Sequence, residues 1–319
     1  MTLRAILYDA NGDDREVDLG ADEAVQIEDD RLLWIDLDNR DPEDLAHAAA
    51  AVGLEPKGLR RLSREDRRAR ILRLPERVVL TLGAVEPDDV EARRRELDIV
   101  VGVNHVITVH DGPLAAIDAF RAEIDQEDQL GRLSAAPFTA GLIDAVFTAY
   151  FQQVESIERD IDALDEMAIV ARADDRFLAT VMTLRRRIGR LRRALAPNRE
   201  ALLPLERPDF ELRSDIGPVW PGVVQRLERA IDGVENAREL LVGSFDLYLG
   251  RASQRTNDVM KVLTLVSAIA LPAVVLAGVM GMNFSPAFFD EPSNFYVVVA
   301  VMVGFAVGIL AVARWRHWI

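Results

Sequence analysis

Two long uncharged stretches near the C-terminus constrain this sequence more than any other feature. No Asp, Glu, Lys or Arg occurs from Val262 to Phe289 or from Pro292 to Ala313. A helix needs about 20 apolar residues to cross the hydrocarbon core of a bilayer, which is about 30 Å thick. The segments Val262 to Met282 and Phe295 to Ala313 come close to this requirement, whereas a core helix of a soluble protein normally carries a polar face. The sequence therefore predicts a membrane protein with two transmembrane helices.

The charges around the two segments predict their orientation. Basic side chains flank them on one side, at Arg251, Arg255, Lys261, Arg314, Arg316 and His317. The loop between the segments, residues 283–294, carries Asp290 and Glu291 and no basic residue. Because cytoplasmic flanks are enriched in Lys and Arg, we expect both termini in the cytoplasm. The protein would then cross the plasma (inner) membrane twice, with an acidic outer loop that attracts cations.

Composition narrows the possible partners. The formal net charge is −15, and nearly all of it lies before Lys261. An acidic surface disfavours a nucleic-acid partner and attracts cations, although the same acidity would also keep a cytoplasmic domain soluble. The absence of cysteine excludes disulfides and thiolate metal sites. The histidines are scattered, and no Ser/His/Asp grouping, phosphate-binding loop or metal-ligand spacing indicates an enzyme.

The region before the apolar segments begins with an α/β pattern. Short runs rich in Ile, Val and Leu, bounded by turn residues, predict strands at Leu3–Tyr8, Arg31–Leu37, Arg70–Leu74, Arg77–Val85, Leu97–Val103 and His105–His110. Helices are predicted at Pro42–Val52, with Asp41 as N-cap, and at Leu114–Ile124. The sequence therefore predicts a cytoplasmic α/β domain over residues 1–125.

Helical periodicity takes over in residues 126–220. One helix is predicted from Thr139 to Val170, and an arginine-rich helix from Asp174 to Leu195 is predicted to end before Pro197, its arginines on a solvated or acid-paired face. A last helix is expected to begin near Pro221 and to continue into the membrane to Met282, about 90 Å at 1.5 Å per residue. The expected order is a stalk with the first transmembrane helix (221–282), an external loop (283–294), the second transmembrane helix (295–313) and a cytoplasmic tail (314–319).

A stripe of small, polar or medium-sized side chains follows the first apolar segment. Alternate steps of three and four residues lead through Asn257, Met260, Thr264, Ser267, Leu271, Val274, Gly278 and Gly281. The stripe is either a helix-packing seam or, if several copies surround an axis, the wall of an uncharged conduit with asparagines at both ends. Pro272 and the two glycines would loosen the outer end of the helix, where backbone carbonyls could then face a pore. Because Mg²⁺ keeps several of its waters, amide and carbonyl oxygens suit its passage better than an anionic cage.

The triplet Gly281-Met282-Asn283 resembles the signature of the CorA family of magnesium channels, which stands at the outer end of the first of two C-terminal spans. Three further stretches are similar to the family: Trp34–Leu37, Leu97–His110 and Arg255–Met260. The resemblance covers nearly the whole chain. It implies a homopentamer with a cytoplasmic α/β funnel, a long stalk helix and a pore lined by the first transmembrane helix. Divalent cations would be the cargo, with hydrated Mg²⁺ as the transported ion and Co²⁺ or Ni²⁺ as further candidates.

The resemblance also implies roles for individual residues. Gly281, Met282 and Asn283 would form the selectivity filter, and Asp246 would lie near the inner mouth. The pore would be lined by Asn257, Met260, Leu263, Thr264, Leu271, Val274 and Gly278. Family members are thought to close when cytoplasmic Mg²⁺ binds carboxylates between subunits. The sequence offers many candidates for this role without singling one out, among them Asp88, Asp89, Glu91, Glu158, Asp160, Asp162, Asp165 and Glu166.

Two departures from the family leave the ion preference open. Val274 stands where a Thr is common, and Phe284–Phe289 replaces a Met-Pro-Glu loop. The related ZntB branch, which is similar to zinc transporters with a Gly-Val-Asn variant, is the nearest alternative, and Met282 favours CorA over it. A membrane-anchored sensor or scaffold would explain the two apolar segments, but it gives no reason for Asn257 and Asn283 to close the two ends of the stripe.

Overall fold

The computed structural model describes residues 3–9, 14–19, 27–28, 30–64, 69–124, 134–170, 175–206, 220–282 and 292–316. The chain divides into two units. The first contains residues 1–167 and 174–244, and the second contains residues 168–173 and 245–319. Each unit is described by itself below.

The first unit contains the strands and the shorter helices. The strands are β1 (Leu3–Asp9), β2 (Arg15–Glu16), β3 (Arg31–Leu37), β4 (Arg70–Leu74), β5 (Arg77–Ala84), β6 (Arg95–Val101) and β7 (His105–His110). The helices are α1 (Pro42–Val52), α2 (Pro56–Leu62), α3 (Ala115–Ile124), α4 (Ala135–Val170) and α5 (Asp175–Leu202), with a 3-10 turn at Leu203–Glu206. The predicted α/β class is confirmed, and β3, β4, β7 and α1 have the predicted bounds. The short elements β2 and α2 were not predicted.

The strands form one mixed sheet in the order β2-β1-β3-β7-β6-β5-β4. β3 and β7 pair in parallel, with Leu33 opposite His105 and Leu37 opposite Val109. The other neighbouring pairs of described strands are antiparallel. The two-residue β2 and the arginine-bearing β4 therefore form the two edges of the sheet.

Alternate residues of the central strand β3 face two different cores. Leu33, Ile35 and Leu37 lie in an aliphatic core with apolar residues of α1 and α2. Trp34 faces the other way, into an aromatic cluster with Phe120 and Phe138 at ring-centroid distances of 6.0 and 5.4 Å. Because strand side chains alternate between faces, a strand buried on both sides reads as a continuous apolar run.

Helix α1 is capped at both ends, and Asp41 is its N-cap as predicted. The Asp41 carboxylate accepts hydrogen bonds from the backbone nitrogens of Glu43 and Asp44 at 2.9 and 3.3 Å. Gly53 closes the helix in the left-handed conformation, with φ of 62°, which costs glycine little because it has no Cβ. The Arg77 guanidinium donates to the carbonyl oxygens of Val52 and Gly53. These contacts satisfy carbonyl groups that the helix end leaves without partners.

Helix α5 continues past Pro197 to Leu202, so the predicted end at Leu195 is wrong. The extension places the buried Asn198 against β5, where Gly83 N donates to Asn198 Oδ1 at 2.7 Å. Asn198 Nδ2 donates to Gly83 O at 2.9 Å, and the Tyr150 hydroxyl donates to the same oxygen at 2.8 Å. β4 begins at Arg70, opposite Thr81, so Gly83 lies beyond its end. The Asn198 amide thus supplies the hydrogen bonds that a longer β4 would make.

Helix α6 (Trp220–Met280) is continuous over 61 residues and passes through Pro272 without a break. Its part in the first unit buries a stripe at three- and four-residue spacing: Val223, Leu227, Ala230, Val234, Ala237 and Leu241. The second unit contains the rest of α6 and helix α7 (Pro292–Trp315), which has 24 residues. The most apolar 18-residue windows of the two helices reach mean hydropathies of 2.5 and 2.7. Two helices long and apolar enough to span a bilayer are therefore present, as predicted.

Candidate functional site

The stripe predicted from Asn257 onward lies on a single uninterrupted helix. Since α6 is helical from Trp220 to Met280, the three- and four-residue spacing aligns the stripe over about 35 Å at 1.5 Å per residue. Met260, Leu271 and Val274 are 54, 67 and 66% exposed in the single chain. This end of α6 thus presents an apolar surface that its own chain leaves uncovered.

Polar groups on the stripe carry no formal charge. The Thr264 hydroxyl donates to the carbonyl oxygen of Met260 at 2.7 Å, which leaves the lone pairs of the hydroxyl oxygen available. A Cβ built on Gly278 would meet no atom within 4 Å, so the helix surface is open there. Leu263 lies beside the stripe and is exposed. The chemistry of this face suits a cation that keeps its water, because it offers neutral oxygens and apolar contacts and no carboxylate.

The helix ends at the start of the predicted filter. Gly281 N donates to Ala277 O at 3.0 Å, and Met282 N donates to Val279 O at 3.3 Å in the turn that follows α6. Asn283, Asp290 and Glu291 lie outside the described residues. Their predicted roles therefore stay predictions.

Charged residues occur near the Asn257 end of the stripe. Lys261 Nζ lies 3.1 Å from Asp258 Oδ1, and Gln254 Nε2 donates to the same carboxylate oxygen at 3.2 Å. Asp246 is exposed eleven residues before Asn257, about three helical turns away. The charges thus lie before or within the first turns of the stripe, and α6 carries no charged residue from Val262 to Met280.

The candidate regulatory carboxylates are spread over several elements of the first unit. Asp89 Oδ1 and Oδ2 accept from the backbone nitrogens of Glu91 and Arg93 at 2.9 and 3.0 Å. Burial raises the pKa of Asp89, but these two backbone hydrogen bonds and nearby arginines outweigh it and leave that pKa lowered. Among the described residues, no three Asp, Glu or His side chains are grouped closely enough to hold a metal ion. In a single chain, therefore, these carboxylates are separate surface groups.

A buried glutamine that the sequence did not reveal fixes the loop carrying Asp89. Gln153 is 0% exposed, and its Nε2 lies 2.6, 2.9 and 2.9 Å from the carbonyl oxygens of Glu86, Pro87 and Asp89. Its Oε1 accepts from Nε and Nη2 of Arg187 at 3.0 and 2.8 Å. One side chain thereby joins α4, α5 and the loop after β5. Helical periodicity marks position 153 only as inward-facing, and its partners are distant in sequence.

Arg187 itself corrects part of a sequence prediction. Its neighbours Arg185 and Arg186 are exposed, as expected, but Arg187 is buried. Its Nη1 donates to Asp160 at 3.0 Å, so the acid pairing that was predicted as one possibility is present. Burial lowers the pKa of Arg187, which Asp160 only partly offsets.

A second buried polar network joins β3, β7 and α3. Thr108 Oγ1 accepts from Trp34 Nε1 at 3.0 Å and donates to Asp36 Oδ1. His110 Nε2 lies 3.2 Å from the same oxygen, and Arg121 Nη2 donates to Asp36 Oδ2 at 2.6 Å. Burial raises the pKa of Asp36, but the hydrogen bond and charge of His110, with Thr108 and Arg121, outweigh burial and leave this pKa lowered.

This network contains a Thr, an Asp and a His, yet its geometry does not suit nucleophilic catalysis. His110 Nδ1 faces the carbonyl oxygen of Gly112 at 2.7 Å, and Nε2 faces the Asp36 carboxylate. Both partners are acceptors and favour the doubly protonated ring, which raises the pKa of His110 despite burial and leaves neither nitrogen free to act as a base. The Thr108 hydroxyl donates to Asp36 instead of to the imidazole. The network therefore holds two strands and a helix together.

Comparisons with known proteins agree with the sheet domain, the long helix and the two apolar C-terminal helices. The family model described as CorA-like Mg²⁺ transporter protein matches residues 29–314. The cobalt/magnesium transport protein CorA of Thermotoga maritima is 28% identical over 247 residues, which cover 76% of this chain and 70% of that protein. The complete structure of the CorA magnesium transporter from Methanocaldococcus jannaschii aligns over 100% of both chains with a TM-score of 0.77 and 21% identity.

The cytoplasmic domain of ZntB shares part of the fold. The crystal structure of the ZntB cytoplasmic domain from Vibrio parahaemolyticus aligns with 80% of this chain and 100% of that chain at a TM-score of 0.63. Its identity is 13%, against 21 and 28% for the CorA proteins above. The family match covers most of the chain, including both apolar helices. The chain therefore belongs to the CorA family of divalent-cation transporters and is a membrane protein.

Proposed function

We propose that this chain is the subunit of a channel for hydrated Mg²⁺, with the pore lined by α6. One observation carries the proposal: the stripe from Asn257 to Gly278 is uncharged, continuous and exposed, and it leads directly to Gly281-Met282. An ion that retains its waters needs oxygens that orient water without holding the cation tightly. Thr264 and the amide of Asn257 are such groups. Met260, Leu263, Leu271 and Val274 would form apolar rings between them.

Asn283 would provide the outer selectivity ring together with the backbone of Gly281 and Met282. Its amide oxygen would accept hydrogen bonds from the waters around the ion, and its neutrality would allow release as well as entry. Asp290 and Glu291 would raise the local cation concentration outside the mouth. Asp246, about three helical turns before Asn257, would likewise raise the local cation concentration near the inner mouth.

The channel would be a homopentamer in the plasma membrane with both termini in the cytoplasm. A single copy of the stripe cannot enclose a path, so several copies must surround an axis, and a closed ring requires rotational symmetry. Residues 1–125 and 126–220 would form the cytoplasmic part, 221–282 the stalk and pore helix, 283–294 the outer loop, 295–313 the second span and 314–319 the tail. Mass measurement of the solubilised assembly tests this proposal: five copies are expected, and a conducting monomer or dimer would refute it.

Mg²⁺ would also regulate the channel by bridging acidic surfaces of adjacent copies. The support is indirect: the chain carries a net charge of −15, and the candidate carboxylates of one copy are too dispersed to bind a metal ion by themselves. A cation that binds only the closed ring stabilises it by mass action. Removal of Mg²⁺ should therefore lower the melting temperature and expose the stalk to protease. Identical protease protection with and without Mg²⁺ would show that the acidity only solubilises the protein.

The central experiment measures ion flux into liposomes containing the full-length protein. Asn283→Ala should abolish Mg²⁺ uptake while leaving assembly intact, and Asn283→Asp should bind divalent ions more tightly but pass them poorly. Asn294→Ala is the matched control, because it removes the same amide eleven residues further on, at the start of α7. Parallel assays with Co²⁺, Ni²⁺ and Zn²⁺ would define the ion preference. Uptake by Asn283→Ala at the parent rate would place the filter elsewhere.

A further inference from the structure

An apolar crevice runs between α6 and α7 within the second unit. It is an open groove of about 790 Å³ and is lined on the α6 side by one turn that includes Thr264 and Ala268. On the α7 side it extends from Val301 to Arg316 and includes Gly304 and Gly308. Both helices are of membrane-spanning length, so the crevice lies within the bilayer except at its Arg316 end.

The glycines provide the room in this crevice. A Cβ built on Gly304 or Gly308 would have no atom within 4 Å. Small residues spaced four apart on a membrane helix allow close approach of a neighbour. Here the neighbouring space is open, so it is filled in the membrane by something other than the side chains of the described residues.

The dimensions distinguish a hydrocarbon chain from a helix. Val301 and Arg316 are 15 residues apart, which corresponds to about 22 Å along α7. A volume of 790 Å³ over this length gives a mean cross-section of about 35 Å², whereas a helix about 10–12 Å across needs about 80–110 Å². An extended acyl chain is therefore thin enough to lie within the crevice, whereas a helix of a second copy could only pack across its open side.

The charge at one end selects among lipids. Arg316 lines the crevice, is exposed and forms no ion pair with another described residue. Lys261 lies one turn before Leu265, which also lines the crevice, although Lys261 is paired with Asp258. An acyl chain gains little by leaving other lipid tails for an apolar crevice. Preference for one lipid must therefore come from the headgroup, and a basic group beside an intramembrane crevice favours an anionic one.

We propose that the crevice binds an anionic phospholipid, with an acyl chain beside Gly304 and Gly308 and the phosphate on Arg316. The crevice meets the stripe that begins at Asn257 only at Thr264, and its other lining residues lie off the stripe. Bound lipid would fill the space between the two helices and hold their separation.

Lipid retention by the full-length protein tests the proposal without measuring ion flux. The protein is placed in bilayers of equal phosphatidylglycerol and phosphatidylcholine, extracted in mild detergent, and its bound lipids are quantified by native mass spectrometry. The parent protein should retain phosphatidylglycerol in clear excess over the input ratio. Arg316→Gln should return the retained ratio to the input ratio, whereas Arg314→Gln, which removes a nearby charge outside the crevice, should not.

Filling the crevice provides the second arm. The Gly304→Leu protein should lose both bound phosphatidylglycerol and bound phosphatidylcholine. The Val307→Phe protein, which adds comparable bulk on the exposed side of α7, should retain its bound lipid. The proposal is overturned if the parent protein retains the two lipids in the input ratio, or if Arg314→Gln and Arg316→Gln behave alike. It is also overturned if Gly304→Leu dissociates the assembly while the parent carries no lipid, since a second copy would then occupy the crevice.

Discussion

Replacing Asn198 by Ala tests whether α5 is held to the sheet by one amide group. The side chain is 0% exposed and makes two hydrogen bonds to Gly83, to its N–H at 2.7 Å and to its carbonyl at 2.9 Å. After the substitution the Gly83 N–H loses this partner in a site closed to water. The Gly83 carbonyl keeps the Tyr150 hydroxyl at 2.8 Å.

The two losses differ in size. A buried donor left without a partner costs about 1–3 kcal/mol, and loss of one of two hydrogen bonds to the carbonyl costs about 0.5–1.5 kcal/mol. Together they predict a destabilisation of about 2–4 kcal/mol. In a unit of this size each kcal/mol lowers the melting temperature by about 2–4 °C, so a decrease of about 5–15 °C is expected.

Thermal unfolding of the full-length protein in detergent, followed by tryptophan fluorescence, measures this decrease. Hydrogen exchange at the Gly83 amide locates it, because that proton should lose its protection. Asn236→Ala is the matched control, since Asn236 is exposed and donates to Glu158 at 3.4 Å, and surface changes usually stay within about 0.5 kcal/mol.

Tyr150→Phe supplies a sharper criterion. Alone it should cost less than Asn198→Ala, because Asn198 still serves the Gly83 carbonyl. In the Tyr150→Phe background, however, Asn198→Ala should cost more than in the parent, since the carbonyl then loses both partners. Additive effects, or an unchanged exchange rate at Gly83, would refute the reasoning.

Two further predictions concern the other buried networks. Burial lowers the pKa of His110, but Asp36 outweighs burial and raises this pKa, so the His110–Asp36 contact stabilises the fold fully below about pH 6.5 and is lost as pH rises through the raised pKa. The melting temperature should therefore fall between pH 6 and 9, and His110→Gln should reduce that fall. An unchanged pH dependence in His110→Gln would contradict the assignment. Gln153→Leu should destabilise by about 2–4 kcal/mol because buried Arg187 and three loop carbonyls lose a partner, while exposed Gln152→Leu should change the melting temperature little.

Strand positions could be predicted because a strand buried on both faces carries a continuous run of apolar residues. β3 and β7 have apolar residues on both faces, and their bounds matched the predicted Arg31–Leu37 and His105–His110. The missed strand β2 has two charged residues, Arg15 and Glu16, and depends on pairing with β1 for its conformation. No local pattern distinguishes such a strand from a loop.

Pro197 shows where a local rule fails for a tertiary reason. A proline within a helix removes one backbone hydrogen bond and usually ends the helix. Here Leu195, Ala201 and Leu202 are buried on α5, and Asn198 is bonded to β5. Packing and hydrogen bonding on both sides of the proline favour continuation, and they involve a strand more than 100 residues earlier in the chain.

The candidate pore could also be predicted only in part. The spacing of Asn257, Thr264 and Val274 predicted one face of a helix, and the continuous α6 provides it. What surrounds that face depends on neighbouring copies, which a single sequence describes only through resemblance. The buried partners Gln153 and Arg187 were missed because a polar residue at an inward position looks the same whether or not a distant partner exists.

The edges of the sheet have a consequence for how copies of this chain meet at high concentration. An edge strand offers unpaired backbone groups on which another chain can polymerise into aggregates. One edge here is limited to the two charged residues of β2, and the other carries Arg70 and Arg73 on β4. Where β4 stops, Asn198 already occupies the backbone groups of Gly83. Copies at high local concentration can therefore meet without pairing their sheet edges into an insoluble aggregate. A variant lacking the Asn198 amide leaves the backbone N–H of Gly83 without this partner and should precipitate more readily during biosynthesis.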